Sequence, residues 1–194
     1  MLTSNIKFIN FERKFNKRDK NIIKKFKNEN LIKKYNLLSS LTLSYKYSFT
    51  KEKLKKFKKH SLFRLIGMGG STLGAEAIYQ FLQHKTKKKF IFINNLKCNL
   101  SKYEKSNEAV NLIISKSGNT LETISNTNIL INQNQKNNNI FITEKKNSYL
   151  LNLAHKIKAE VFEHKNYIGG RYSVLSEVGM LPAELMGFDE RKFK

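Results

Sequence analysis

The stretch that decides the fold is Ala109-Val110-Asn111-Leu112-Ile113-Ile114-Ser115-Lys116-Ser117-Gly118-Asn119-Thr120-Leu121-Glu122-Thr123. Its first part, residues 109–114, is a largely apolar run typical of a buried strand, and the residues after position 119 are typical of a helix. Asn119, followed three residues later by Glu122, resembles a capping box that would open this helix. Because a helix N-terminus leaves N–H groups unpaired and carries a partial positive charge, the polar junction at residues 115–123 predicts a phosphate cradle.

Short apolar runs alternate with helical patterns from residue 62 onward. The runs predict five strands, at residues 62–66, 90–93, 110–114, 139–143 and 160–162. Helices are predicted between them, from Ser71 as a cap, from Asn119 to about residue 133, and at residues 148–157. The first of these would bury one face formed by Leu73, Ala77, Ile78, Phe81 and Leu82. This order predicts an α/β fold, a parallel sheet of about five strands with helices on both faces, whose ligands bind beyond the carboxyl ends of the strands.

The first 60 residues are rich in Lys and Asn and predict a helical preface to this sheet. One amphipathic helix is predicted from the spacing of Ile22, Ile23, Phe26, Leu31, Ile32 and Tyr35. A second, short helix is predicted around Leu54 and Phe57, and residues 37–43 between them stay ambiguous.

The composition favours a soluble, cytoplasmic protein. The chain has 194 residues, 40% of them hydrophobic, and no apolar run approaches the roughly 18–20 residues that span a bilayer. The N-terminus lacks a basic segment followed by an apolar one, so no signal peptide is predicted. The single cysteine, Cys98, excludes an internal disulfide framework and is expected to be a free thiol. No metal or cofactor is expected.

The net charge of +22 raises the alternative of a nucleic-acid-binding protein. The lysines are scattered through the loops together with many asparagines, rather than concentrated with aromatic residues between them. We therefore expect a solvated basic surface with no dedicated nucleic-acid role, which would still attract anionic metabolites at low salt.

Glycine is concentrated in places that need an unusual backbone. None of the nine glycines precedes Gly67, and four lie in Gly67-Met68-Gly69-Gly70-Ser71-Thr72-Leu73-Gly74. This stretch is neither a dinucleotide fingerprint nor a P-loop, because it lacks the third glycine of the former and the Gly-Lys-Ser/Thr ending of the latter. It predicts a tight turn between strand and helix that offers N–H groups and the Ser71 hydroxyl, or a turn that needs glycine for steric reasons alone.

Two further stretches carry groups that suit an anionic ligand. The hydroxyls of Ser115, Ser117, Thr120 and Thr123 could donate up to four hydrogen bonds to phosphate oxygens, although an ordinary capped helix start is the alternative. The other stretch is Ile168-Gly169-Gly170-Arg171-Tyr172-Ser173-Val174-Leu175-Ser176-Glu177-Val178-Gly179. Its arginine, the only one between residues 65 and 190, indicates a fixed planar donor, or else a surface residue after a turn.

Together the three stretches resemble the successive motifs of the glucose-6-phosphate isomerase family. The resemblance covers roughly residues 60–188, the family's N-terminal sugar-isomerase (SIS) domain, and implies a flavodoxin-like α/β fold. It implies a sugar-phosphate pocket lined by Gly69, Gly70, Ser71, Ser115, Lys116, Ser117, Thr120 and Thr123. It also implies that Arg171 stabilises an enediol intermediate. The run Ser117-Gly118-Asn119-Thr120 departs from the family's common Thr-Phe-Thr-Thr and is closer to general SIS domains.

The resemblance implies reversible conversion of glucose 6-phosphate and fructose 6-phosphate, with the base glutamate, a histidine and a lysine in a second SIS domain and a C-terminal tail. None of His60, His84, His155 or His164 matches the family's histidine motif, and Glu122 and Glu177 are interpreted as capping and packing residues. The expected organisation is a helical segment at residues 1–60, an SIS domain at 61–188 and the start of a second domain at 189–194. The alternatives are a stand-alone phosphosugar-sensing SIS module and a nucleic-acid-binding protein. A homodimer, or a missing C-terminal domain, is a further expectation.

Overall fold

A computed structural model describes residues 16–26, 34–96, 106, 108–131 and 138–194. The chain divides into two compact units, one ending at Tyr35 and one running from Asn36 to Lys194. The described part of the first unit is helix α1, Lys17–Phe26, whose start is capped where Asn16 Oδ1 accepts from the Asp19 N–H at 2.9 Å. The predicted helix is confirmed at Ile22, Ile23 and Phe26, and residues 27–33 lie outside the described residues.

The second unit is a five-stranded, all-parallel sheet with helices on both faces, as predicted. The strands are β1 Leu62–Gly67, β2 Lys89–Ile93, β3 Val110–Ile114, β4 Asn139–Thr143 and β5 Glu160–Glu163, in the sheet order β2-β1-β3-β4-β5. The helices are α2 Lys51–Lys58, α3 Leu73–Leu82, α4 Leu121–Leu130, α5 Tyr149–Lys156 and α6 Glu177–Met186. Short 3₁₀ turns occur at Asn36–Leu41, Gly69–Ser71, Gln83–Lys85, Gly170–Tyr172 and Glu190–Phe193.

The sheet explains why its strands appear as apolar runs rather than as alternating patterns. Every residue of β3 and β4 is buried, because both faces of these central strands are covered. On one face Ile66, Ile113 and Phe141 pack against Leu130 of α4 and Leu150 of α5. Helices α2 and α3 both pack on α6, which covers the other face.

A row of polar side chains crosses the buried sheet. Arg64 of β1 donates from Nε to Asn111 Oδ1 of β3 at 2.8 Å, and Asn111 donates from Nδ2 to Asn139 Oδ1 of β4 at 2.7 Å. The three residues occupy directly paired register positions and are each at most 1% exposed. The buried sheet therefore carries a specific side-chain hydrogen bond across each of these two strand pairs.

Two expectations for helix α3 are wrong. Ser71 lies in the 3₁₀ turn Gly69–Ser71, and the residue at the N-cap is Thr72, without a side-chain cap hydrogen bond. Of the predicted buried face only Ile78 and Leu82 are buried, together with Ala75, whereas Leu73, Ala77 and Phe81 are exposed. The extra 3₁₀ turn shifts the start of the helix, and packing against α6 then selects a face that periodicity alone does not distinguish.

Residues 36–60 belong to the same compact unit as the sheet. Leu54 and Phe57 of the predicted short helix are fully buried in α2, and Phe49 before it is buried as well. The assignment of residues 61–188 to an SIS domain, with boundaries near residues 60 and 188, stays a prediction. Within the described ranges, no helix is long and apolar enough to cross a bilayer.

Candidate functional site

The first two glycine- and hydroxyl-rich stretches meet at the carboxyl edge of the sheet. Gly67, the last residue of β1, is paired in register with Ile114, the last residue of β3. A Cβ at Gly67 would lie 2.7 Å from the Ile114 carbonyl oxygen, so glycine is required where the two strands approach most closely. The turn at Gly69–Ser71 and the stretch that begins at Ser115 therefore emerge side by side.

The segment 115–120, here called the cradle loop, folds back on itself around Ser115. Ser115 is 2% exposed as a residue, and its hydroxyl accepts from the Gly118 N–H at 3.2 Å and is hydrogen-bonded to Thr120 Oγ1 at 3.0 Å. Gly118 has a φ of +66°, which glycine adopts without strain. Two of the predicted phosphate-binding hydroxyls, those of Ser115 and Thr120, are thus brought into direct contact.

Two helices, α4 and α5, begin beside the cradle loop, but the N-terminal donors of α5 are already used. The Tyr149 N–H donates to Asn119 Oδ1 at 2.9 Å, and the Leu150 N–H donates to the Gly118 carbonyl at 3.0 Å. Ser148 caps the helix by accepting from the Leu151 N–H at 3.4 Å. The N-terminus of α5 is therefore saturated by the protein itself.

The N-terminus of α4 is open. The N–H groups of Ser117, Thr120 and the first turn of α4 have no acceptor among the described residues. The expected capping box is wrong: the N-cap residue is Thr120, which makes no side-chain cap bond, and the Asn119 side chain is turned to α5. Unpaired donors and the helix dipole make this terminus suited to an anion.

The remaining hydroxyls of the stretch differ in accessibility. Ser117 is exposed, and its Oγ accepts from the Asn119 N–H at 3.2 Å, which leaves its proton available to a ligand. Thr123 is 1% exposed in the first turn of α4, and its Oγ1 has no hydrogen-bond partner within the described part of the chain. Contact between Thr123 and a ligand stays a prediction.

The Gly-Gly-Ser and Gly-Gly-Arg turns touch through their backbones. A Cβ on Gly70 would lie 2.3 Å from the carbonyl oxygen of Gly170. The Ser173 hydroxyl lies 2.7 Å from the Gly170 oxygen and 3.3 Å from the Gly70 oxygen and binds both turns together. The sequence stretches around residues 70 and 170 thus form one continuous surface, and the cradle loop follows the strand next to β1.

Arg171 follows this contact and is exposed. Its guanidinium has no hydrogen-bond or ion-pair partner among the residues that the structure describes, so its donors are available to a ligand or a partner. Its place beyond the carboxyl ends of the strands agrees with the predicted position of the site.

Glu177, in the first turn of α6, is a structural residue. It is fully buried, accepts from the Tyr45 hydroxyl at 2.8 Å through Oε2, and accepts from the Ser48 N–H at 2.9 Å through Oε1. Burial, and then the neighbouring Glu177 carboxylate, raise the pKa of the Tyr45 hydroxyl. Both oxygens are occupied, which agrees with the interpretation of Glu177 as a packing residue.

His164 is buried behind the cradle loop, where its Nδ1 lies 3.1 Å from the Lys165 carbonyl oxygen. Burial lowers the pKa of His164, and the nearby Lys116 ammonium acts in the same direction, whereas the Lys165 carbonyl and Glu144 oppose it. The native protein therefore favours the neutral imidazole.

The free energy of unfolding is expected to decrease as the pH falls through the ordinary histidine range near 6.5, because the unfolded chain then binds a proton that native His164 resists. The slope attributable to one proton is at most about 1.4 kcal/mol per pH unit. Urea unfolding between pH 8 and pH 5 measures it. A His164→Gln variant should lose this part of the slope, and a slope unchanged in the variant would contradict the assignment. The range stays above the region where Glu163 and Asp189, whose pKa values are lowered, begin to titrate.

Sequence reasoning missed several residues that shape the site. Glu144 follows β4 and pairs with Lys116, Ser148 packs against Gly118, and Ser173 joins the two glycine turns. The available signal for Glu144 and Ser148 was their position after a predicted strand, at the edge where ligands bind. For Ser173 the available signal was its position two residues after Arg171, within the Gly-Gly-Arg stretch.

These features define an α/β domain with a candidate anion site at the carboxyl edge of its sheet, and comparison with known proteins identifies the family. The family model described as phosphoglucose isomerase matches residues 19–193. The chain therefore belongs to the phosphoglucose isomerase family.

Curated relatives agree with this family. The glucose-6-phosphate isomerase of Onion yellows phytoplasma is 37% identical over 159 residues, covering 71% of this chain and 37% of the relative. That of Methanocaldococcus jannaschii is 33% identical over 155 residues, covering 75% of this chain and 38% of the relative. The chain thus spans little more than a third of the length of these relatives.

Solved structures agree in fold. A hypothetical protein from Thermus thermophilus superimposes with a TM-score of 0.67 at 20% identity, over 89% of this chain and 46% of that one. The Vibrio vulnificus NanR protein, solved in complex with ManNAc-6P, gives a TM-score of 0.51 at 16% identity, over 85% of this chain and 61% of that one. Both likenesses concern the fold alone.

Proposed function

We propose that the chain binds the phosphate of glucose 6-phosphate and fructose 6-phosphate at the cradle loop, as the phosphosugar-binding part of a glucose-6-phosphate isomerase. The observation that carries the proposal is the contrast between two neighbouring helix starts. The donors of α5 are used by Asn119, Gly118 and Ser148, whereas those of α4 have no acceptor among the described residues and lie beside the hydroxyls of Ser115 and Thr120. The names of the relatives support a hexose phosphate as the ligand.

The proposed binding mode follows from the chemistry of a phosphate monoester. Its oxygens accept hydrogen bonds from the Ser115, Ser117 and Thr120 hydroxyls and from main-chain N–H groups, and the positive end of α4 offsets their charge. The net charge of +22 would attract such an anion from a distance at low salt. The sugar would then extend over the adjoining turn Gly69-Gly70-Ser71 towards Arg171.

Conversion between aldose and ketose moves a proton between C1 and C2 through an enediol, whose negative charge Arg171 would stabilise as a fixed cation. The step also needs a carboxylate base. Glu177 has both oxygens occupied and Glu144 is paired with Lys116, so neither suits that role. We assign phosphate binding and charge stabilisation to this chain, and proton transfer to a carboxylate outside it, as the family resemblance implies.

Thr120→Ala and Ser115→Ala are expected to weaken glucose 6-phosphate binding by roughly 1–3 kcal/mol each, because each removes a hydrogen bond to a charged phosphate. A thermal-shift titration with glucose 6-phosphate measures the change. Ser125→Ala is the matched control, since Ser125 lies one turn further along α4, away from the cradle loop. Equal ligand-induced shifts in Thr120→Ala and the parent would contradict the assignment.

The purified chain is also expected to bind fructose 6-phosphate without isomerising it, which a coupled assay of glucose 6-phosphate formation tests. Isomerisation at a rate typical of a complete enzyme, on the order of 10 per second or faster, would show that the base lies within this chain.

A further inference from the structure

Lys116 is the second residue of the cradle loop, yet its ammonium is bonded elsewhere. Lys116 Nζ donates to the Asn166 carbonyl oxygen at 2.6 Å and lies 3.6 Å from Glu144 Oε1. The Glu144 N–H in turn donates to the Lys116 carbonyl at 3.1 Å. The side chain therefore joins the loops that follow β3, β4 and β5.

Asn166 lies in the segment that leads to Arg171. This segment begins at His164, whose N–H donates to the Thr143 carbonyl at 2.9 Å, and it contains a turn closed by the Ile168 N–H and the Lys165 carbonyl at 3.1 Å. Ile168 is fully buried, so the turn is fixed to the core immediately before Gly169 and Gly170. The hydrogen bond to Asn166 therefore fixes a point in the chain only a few residues before Arg171.

The ammonium is poorly suited to be a direct phosphate ligand. It already donates to one carbonyl, and the Glu144 carboxylate beside it offsets its charge. An ammonium has three N–H donors, and those that remain would have to reach a phosphate while Nζ stays held at Asn166 and beside Glu144. The N-terminal N–H groups of α4 and the exposed Ser117 hydroxyl proton have no such partner among the described residues.

We propose that Lys116 is a positioning residue that fixes the separation between the phosphate cradle and Arg171. This inference rests on the proposed function. A hexose phosphate carries its phosphate at one end and its reacting carbons at the other, so the two recognition groups act together only when their spacing matches the ligand. The bridge from Lys116 to Asn166 and Glu144 supplies that spacing.

The test compares a ligand that uses one end of the site with a ligand that uses both. Inorganic phosphate probes the cradle alone, whereas 6-phosphogluconate carries a carboxylate at the end where the enediol charge would develop. Dissociation constants for both are measured by calorimetry on the full 194-residue chain. The variants are Lys116→Met, which removes the ammonium, and Lys116→Arg, which keeps a cationic donor. Lys145→Met is the charge control, because Lys145 is highly exposed and pairs with Glu163 instead.

Lys116→Met is expected to weaken 6-phosphogluconate binding tenfold or more and to change phosphate binding less than twofold. Lys116→Arg should restore most of the loss, and Lys145→Met should leave the ratio of the two affinities unchanged. An equal loss for both ligands would overturn the inference by making the ammonium a direct phosphate ligand, and no loss for either would overturn it as well.

The parent protein separates failure of the inference from failure of the proposed function. If the parent binds 6-phosphogluconate no more tightly than phosphate, Arg171 adds nothing and the positioning role is overturned, while phosphate binding by the cradle stands. If the parent binds neither phosphate nor glucose 6-phosphate, the proposed function itself is overturned.

Discussion

Gly70→Ala is expected to weaken the binding of hexose phosphates at least tenfold while leaving inorganic phosphate binding nearly unchanged. The new Cβ would lie 2.3 Å from the Gly170 carbonyl oxygen and 2.4 Å from its carbonyl carbon. Both atoms are backbone, so no side-chain rotation relieves the overlap and the two turns must separate. Overpacking of this kind costs about 1–3 kcal/mol. Separation moves Arg171 away from the cradle loop, which itself has no direct contact with the new methyl group.

Gly169→Ala is the matched control for Gly70→Ala. Gly169 has an ordinary φ of −71°, and its Cβ would meet only the Tyr172 ring at 3.6 Å, a normal contact distance. Calorimetric titration of both variants with glucose 6-phosphate and with phosphate measures the effect. Parent-like affinity for glucose 6-phosphate in Gly70→Ala would contradict the view that the two turns form one surface.

Glu177→Ala is expected to lower the free energy of unfolding by about 3 kcal/mol, the largest stability effect that we predict. The change leaves the Tyr45 hydroxyl and the Ser48 N–H without their acceptor in a part-buried setting, and each such loss costs about 1–3 kcal/mol. These bonds fasten residues 45–48 to the start of α6, beside the turn that carries Arg171. Urea unfolding at pH 7 measures the loss.

Two further variants make the Glu177 prediction specific. Tyr45→Phe removes one of the two bonds and should cost less than Glu177→Ala. Glu122→Ala removes a carboxylate from the first turn of another helix, α4, where no hydrogen bond is made within the described residues, and should change stability by about 0.5 kcal/mol or less. An equal effect of Glu122→Ala and Glu177→Ala would indicate a general helix-dipole contribution instead.

The strands could be predicted because burial on both faces leaves a direct trace in the sequence. The runs at Val110–Ile114 and Asn139–Thr143 coincide with β3 and β4 to the residue. The edge strands β2 and β5 each extend one residue beyond the prediction, at Lys89 and Glu163, because these polar residues have no apolar signal. The order of the strands in the sheet could not be predicted from any local pattern, because it depends on contacts between distant segments.

Helix starts were harder to predict because several polar residues compete for each cap. Asn119 had the right spacing to Glu122, but its side chain accepts from the Tyr149 N–H, which is thirty positions away. That donor comes within reach only after α5 has packed beside the cradle loop. Gly118 depends on α5 in the same way, because a Cβ there would lie 2.2 Å from the Ser148 hydroxyl.

For the candidate site, the sequence indicated the groups that we propose face a ligand, and it gave no indication of the groups that hold them in place. Ser115, Thr120 and Arg171 were predicted from residue type and from their place after a strand. The bonds from Lys116 to Asn166 and Glu144 link three separate loops. No motif encodes such contacts, because a backbone carbonyl can accept from any residue that the fold brings near.

The polar row of Arg64, Asn111 and Asn139 bears on how the sheet assembles. Each bond forms only when the neighbouring strand has docked in its native alignment. A sheet in which β4 had docked out of register would bury the Asn111 amide without Asn139 as its acceptor, at a cost of about 1–3 kcal/mol. The row therefore disfavours misaligned pairing of the three central strands.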